Sequence, residues 1–241
     1  MSLTRPGSRQ ALDRFLFGDL AGVAPRRGDL GLDHAHRFVA LLDQPQDHAR
    51  HVHLVGTAGK GTTATALTQL AVDAGMTVAT HVSPHVYDVR ERFTVDGRLA
   101  DWNAVLEAAG EVFEAASTLV RETGQPPSFF AATAAIAWVL GRSTGVDLLV
   151  TEAGIGGRHD ATNVIGRPDK VTVVTNIGVD HSEVLGDDPA DIAREKAAVI
   201  NAGGVVVVGP QTNPRALDAV LDVAVARDAR VVVVDQDISD W

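Results

Sequence analysis

The sequence predicts an α/β protein: a doubly wound, mostly parallel sheet with helices on both faces and a phosphate-binding loop at one edge. Three observations carry that expectation. Short β-branched runs alternate with alanine- and leucine-rich stretches of helical spacing, the order that builds parallel sheets. The runs are apolar almost throughout rather than alternating, as strands covered on both faces are. Polar residues cluster just after the carboxyl ends of these runs, the edge at which open α/β sheets hold ligands.

In chain order, residues 1–50 read as a helical lead-in packed on a main domain spanning 51–241. His51–Val55 is the first strand, and the glycine-rich turn Gly56-Thr57-Ala58-Gly59-Lys60-Gly61-Thr62-Thr63 follows it directly into a helical run. Further strands are expected at Thr77–Val82, Val146–Thr151, Val171–Thr175, Val205–Val208 and Arg230–Val234. Helices are expected at Trp102–Thr123, with Asp101 as N-cap, and at Phe129–Leu140. Gly124-Gln-Pro-Pro127 breaks the chain between these two helices.

With 241 residues, 45% of them hydrophobic, the chain buries a sizeable core. A formal net charge of −10 argues against nucleic acid or an anionic membrane as the main partner. The absence of cysteine removes disulfides and thiolate chemistry, leaving oxygen and nitrogen ligands for any metal. No run approaches the roughly 20 apolar residues of a spanning helix, and the first residues lack a secretion signal's apolar core. A cytoplasmic protein is expected.

The turn at Gly56 is the strongest site candidate. Glycines let consecutive N–H groups face phosphate oxygens, Lys60 adds a charge, and Thr62 offers a hydroxyl to Mg²⁺. The spacing is a variant of G-x-x-x-x-G-K-[ST], because Gly61 stands between Lys60 and Thr62.

Other candidates leave two readings each. Glu152, at a strand exit, suits Mg²⁺, or else caps a helix or pairs with Arg158. His181, beside Asp180, reads as a metal ligand, a general base or a hydrogen-bonded loop residue. Lys196, on the amphipathic run Ile192–Ile200, reads by itself as a solvated lysine. Ser83 and His85 leave another strand, with Arg90 and Arg92 beyond; the arginines hold an anionic substrate or are neutralised by Glu91. His34, His36, His48, His51 and His53 are not read as a metal site, for their spacing is irregular and no paired acids accompany them.

Taken together, five ordered motifs resemble the folylpolyglutamate synthase and dihydrofolate synthase family of Mur-type amide ligases. They are Gly56–Thr62, Ser83–Phe93, Glu152–Asn163, Thr175–Gly186 and Ile192–Ala197. In such ligases ATP phosphorylates a substrate carboxylate and an amino acid's amine attacks the acyl phosphate. The resemblance implies ATP phosphates on Lys60 and the 56–63 loop, and a first Mg²⁺ on Thr62, Ser83 and Glu152. It further implies a second Mg²⁺ with His181 as ligand, a carbamylated Lys196 among the metal ligands, and Arg92 and Asp160 near a folate-like acceptor, with glutamate as the incoming amino acid. Lys60, His181 and Lys196 are thereby the catalytic candidates.

The chain departs from the family pattern at Ala58, Arg90 and His159, and at Phe130, where the family's F-E-x-x-T motif has glutamate. The resemblance also implies a C-terminal ligase domain that this sequence does not contain. A fragment, a split ligase with a separate C-terminal subunit, or a degenerate paralogue would each account for that, and each implies weak or no ligase activity by the chain itself. Two other functions stay open: a related ligase acting on a non-folate carboxylate, and a non-catalytic ATP-binding or assembly subunit.

Overall fold

The computed structural model describes residues 3–21, 29–178 and 186–234. One eight-stranded sheet organises them, in the order β4-β3-β2-β5-β1-β6-β7-β8. Its parallel strands are β1 (Arg50–Val55), β2 (Val78–His81), β5 (Leu148–Glu152), β6 (Val171–Val174), β7 (Val205–Val208) and β8 (Arg230–Val233). These are the six expected strands, most of them trimmed by a residue or two at their ends.

The remaining two strands, β3 (Phe93–Val95) and β4 (Arg98–Leu99), form an antiparallel hairpin on the β2 edge that is not among the expected strands. Asp96 and Gly97 both take positive φ at its tip, +50° and +71°, as a tight hairpin turn requires. Asp96 also accepts the Val78 N–H at 2.8 Å, tying the tip to the start of β2.

Helices cover both faces. α3 (Lys60–Asp73) packs on β1, β2 and β5 through Ala64 and Leu67 against Leu54, Val78 and Val150. On the other face lies α5 (Phe129–Thr144), buried from Ala131 to Gly141 and backed by α4 (Trp102–Thr123). So apolar a helix has no wet face and belongs in the middle layer. Asp101 caps α4 as expected, accepting the Asn103 N–H, and Ser128 caps α5. α6 (Pro189–Ala197) and α7 (Pro214–Ala226) form a separate core with β6 and β7. The lead-in supplies α1 (Arg9–Asp13), a π-helical turn Arg14–Asp19 and α2 (Asp29–Ala40). Leu12, Phe15, Leu16, Leu20 and Phe38 join the same core as α4 and α5. Among the described residues no helix is long and apolar enough to cross a membrane.

Strand order reverses around β1. β5 and β2 lie on one side of it and β6, β7 and β8 on the other, so a crevice opens beyond its carboxyl end. The glycine-rich loop sits there.

Candidate active site

Gly56 enters the crevice with φ +148°, and a Cβ placed on it would lie 1.9 Å from the Thr175 hydroxyl. Only glycine lets the loop pass this close to the exit of β6. Gly59, at φ +85°, is the N-cap of α3, and the first helical bond runs from Thr63 N–H to its carbonyl. The N–H groups of Gly59, Lys60, Gly61 and Thr62 therefore have no acceptor within the helix, an arrangement that suits anionic oxygens. Thr57 and Ala58 differ: both N–H groups donate to the Asn176 carbonyl, at 2.9 and 3.3 Å. Their part in the loop is to anchor it.

Lys60 donates to the Gly56 and Thr57 carbonyls at 3.1 and 3.4 Å, and its Nζ lies 3.8 Å from Glu152 Oε1. Glu152 is buried at the end of β5, and its Oε2 accepts the Ser83 N–H at 3.0 Å. Burial pushes its carboxyl above the usual range, against the opposing pull of the Ser83 N–H, Lys60 and Arg92. It neither caps a helix nor pairs with Arg158, which instead meets Glu195 at 3.2 Å. A Cβ on Gly61 would lie 3.3 Å from Glu152 Oε2, so the carboxylate stands against the first turn of α3, where Thr62 is exposed.

Lys196 corrects the reading taken from its helix alone. It is 3% exposed, and its Nζ donates to the Gly56 carbonyl at 3.0 Å. Two lysines far apart in sequence thus share one carbonyl oxygen. Gly157 makes this possible: a Cβ there would lie 2.6 Å from the Lys196 carbonyl and 2.8 Å from that of Glu195. The segment after Glu152 therefore lies flat on the last turn of α6.

The oxygen donors suit Mg²⁺. One carboxylate with accepting capacity to spare, beside the first turn of α3 that carries the exposed Thr62, matches a hard cation that keeps few protein ligands. Among the described residues there is no cluster of three or more His, Asp or Glu side chains of the kind softer metals use. His181 lies outside the described residues.

Arg92 is buried. Its Nε donates to His85 Nδ1 at 2.8 Å, and its guanidinium lies 5.1 Å over the Phe129 ring. Burial lowers its pKa, with Glu152 pulling the other way. Glu91 does not neutralise it, for that carboxylate accepts the Val86, Tyr87 and Asp88 N–H groups while Asp88 pairs with Arg90. Among the described residues Arg92 is thus a largely desolvated cation without a carboxylate partner in an ion pair, a costly arrangement that suits an anionic ligand.

Beside it lies a cavity of about 360 Å³ lined by Leu20, Phe38, Pro126, Phe129, Phe130 and Ile155, with His34, His159 and Asp160 among its polar groups. Asp160 is wholly buried, and burial raises its pKa. Its carboxylate accepts N–H groups from Gly154, Ile155 and Thr162 and the Thr162 hydroxyl. It shapes the loop that walls the cavity.

Sequence reasoning missed two groups here. His81, 1% exposed at the end of β2, packs edge-on to Phe130 with ring centroids 5.4 Å apart and has no hydrogen bond at either ring nitrogen. Asn176 and Gln211 bind the loops of β6 and β7 together. The signal for His81 was a polar residue ending an apolar strand and that for Asn176 its place in the Thr175–Gly186 run; Gln211 carried none. Of the histidines set aside as metal ligands, His51 bonds the Gln46 carbonyl and Thr151, and His53 bonds Thr162.

No protein-family model matches the chain. It is 35% identical over 202 residues to the dihydrofolate synthase/folylpolyglutamate synthase of Bacillus subtilis (strain 168), covering 83% of this chain and 45% of that protein. Its backbone matches the Mycobacterium tuberculosis folylpolyglutamate synthase solved with ADP at a TM-score of 0.80 and 31% identity, over 88% of this chain and 48% of that one. A folylpolyglutamate synthase solved with AMPPCP and folate matches at 0.84 and 28%, over 95% and 54%. The chain spans about half the length of the relatives it matches.

Proposed function

We propose that this chain, a relative of the N-terminal half of the folylpolyglutamate and dihydrofolate synthases, is the ATP-binding part of an ATP- and Mg²⁺-dependent acid–amino acid ligase. The observation that carries this is the convergence of Lys60 and Lys196 on the Gly56 carbonyl, beside the buried Glu152.

In the proposed reaction an acceptor carboxylate attacks the γ-phosphorus of ATP, giving an acyl phosphate and ADP. The amine of an amino acid, glutamate by the family resemblance, then attacks the carbonyl carbon, and phosphate leaves as the amide forms. Little covalent work falls to the protein, so its contribution is positioning and charge neutralisation. Lys60 and the N–H groups of Gly59–Thr62 hold the phosphates. Thr62, Ser83 and Glu152 hold the first Mg²⁺, which neutralises charge on the transferred group. His181 and a carbamylated Lys196 serve a second. Carbamylation joins the neutral Lys196 amine to CO₂ with loss of a proton, which replaces one of two crowded cations by an oxygen anion. Arg92 holds the acceptor carboxylate and the cavity holds its body, walled on one side by the Asp160 loop.

Calorimetry with AMPPCP and Mg²⁺ tests the nucleotide reading, with Lys60→Ala expected to abolish binding. Mass spectrometry of amide products with a folate-like acceptor, ATP, glutamate and a relative's C-terminal half supplied as a second chain tests the reaction. Binding without product from any carboxylate would favour a non-catalytic subunit.

A second reading, a ligase for a non-folate carboxylate, is favoured by Phe130. The ring faces the cavity on one side and His81 on the other, leaving an apolar wall where the family motif has an acid. A panel comparing folates with simpler aryl carboxylates separates the two.

A further inference from the structure

Besides the bonds from Lys60 within it, the phosphate loop is held by contacts from outside. Thr57 and Ala58 donate to the Asn176 carbonyl, the Thr57 hydroxyl donates to the Gly178 carbonyl at 3.0 Å, and Gly56 rests on Thr175. Together with Lys196 on the Gly56 carbonyl, the peptide groups around Asn176 therefore set the height of the loop over the crevice.

The side chain of Gln211 bonds the peptides on both sides of Asn176. The Gln211 carboxamide, in the loop after β7, accepts the Ile177 N–H at 2.9 Å and donates to the carbonyls of Thr175 and Gly209 at 3.0 and 2.9 Å. Two carbonyl acceptors demand its NH₂ and one N–H donor demands its oxygen, so the orientation of the amide is determined. Its partners on Thr175 and Ile177 bracket Asn176, whose own side chain reaches the Pro210 carbonyl at 3.2 Å.

We infer that Gln211 is a positioning residue for nucleotide binding: it fixes Asn176, and through Asn176 the phosphate loop. The inference rests on the phosphate-loop reading above for its effect on nucleotide, but not for its effect on the loop.

Gln211→Glu keeps the length and sets a carboxylate against two carbonyl oxygens; Gln211→Met keeps the length and makes none of the three bonds. Both variants should weaken AMPPCP·Mg²⁺ about tenfold in calorimetry, or about 1.4 kcal/mol, at a temperature well below their melting points. They should also speed hydrogen exchange at the Thr57 and Ala58 amides about tenfold in the nucleotide-free chain, since opening becomes easier by the same amount. Asn201→Ala removes a comparable side-chain bond, to the Arg167 carbonyl at the opposite edge of the sheet. It should lower the melting temperature by a similar amount while leaving both readouts within twofold of wild type.

Unchanged exchange at Thr57 and Ala58 in both Gln211 variants would overturn the inference, whether or not nucleotide binds. Faster exchange with unchanged affinity would overturn its nucleotide half. Failure of the unaltered chain to bind AMPPCP, with faster exchange in the variants, would leave the clamp standing and remove the phosphate-loop reading.

Discussion

Replacing Lys60 by methionine should sharply reduce carbamylation of Lys196. Both ammonium groups donate to one carbonyl oxygen, at 3.1 and 3.0 Å, so they lie at most about 6 Å apart. At an effective dielectric constant near 20, two unit charges at that separation repel by about 3 kcal/mol. A carbamate on Lys196 removes the repulsion and gains an attraction, so the cation at Lys60 favours modification by at least that amount before screening. Glu152, 3.8 Å from Lys60, already offsets part of the charge, which leaves tenfold in the carbamylation equilibrium as a conservative expectation. The assay is ¹³C NMR of protein equilibrated with ¹³C-bicarbonate, with Lys196→Arg as the blank for the carbamate resonance. Occupancy in Lys60→Met equal to that of the unaltered chain would refute the electrostatic coupling. A resonance surviving in Lys196→Arg would refute the site.

Acid should destabilise the fold through its buried histidines. Desolvation lowers the pKa of His51 and His81 to about 3 and that of His53 well below its usual value. Between that range and the unfolded value near 6.5 the unfolded chain binds more protons, so the stability they contribute is full above about pH 6.5 and is lost as pH falls. Going from pH 7 to 5 costs about 2 kcal/mol per histidine, opposed by Asp47, Glu152 and Asp160, whose carboxyls burial raises. Urea titrations should show His81→Phe losing about 2 kcal/mol less than the unaltered chain over that interval; parallel pH curves would contradict it. Gly157→Ala must push a methyl into the Lys196 and Glu195 carbonyls, so it should cost about 1–3 kcal/mol in urea unfolding and weaken AMPPCP·Mg²⁺ as α6 shifts. Arg92→Met should raise the KM for the acceptor carboxylate by tenfold or more while leaving AMPPCP affinity within twofold, so a parallel loss of nucleotide affinity would remove its assignment to the acceptor.

What the sequence could disclose followed from what leaves a periodic or compositional trace. The six parallel strands were legible because burial on both faces makes their runs apolar, as in Val205–Val208. The hairpin at Phe93–Leu99 was legible too, in Val95-Asp96-Gly97-Arg98, and went unread because its strands are only three and two residues long. The charged groups of the site stood out one by one, yet their partners did not. Helical spacing places Lys196 on an amphipathic helix but says nothing of which neighbour lies over it. It took the close passage of Gly157 to bury that lysine against Gly56. Gln211 was the least legible of all, because an amide that clamps backbone groups needs neither charge nor periodicity. Residues that touch a ligand are confined to a few chemical types, and therefore announce themselves. Those that hold the ligand-binding backbone in place are chosen only by length and hydrogen-bond geometry, as Gln211 is where it bonds the peptides on both sides of Asn176.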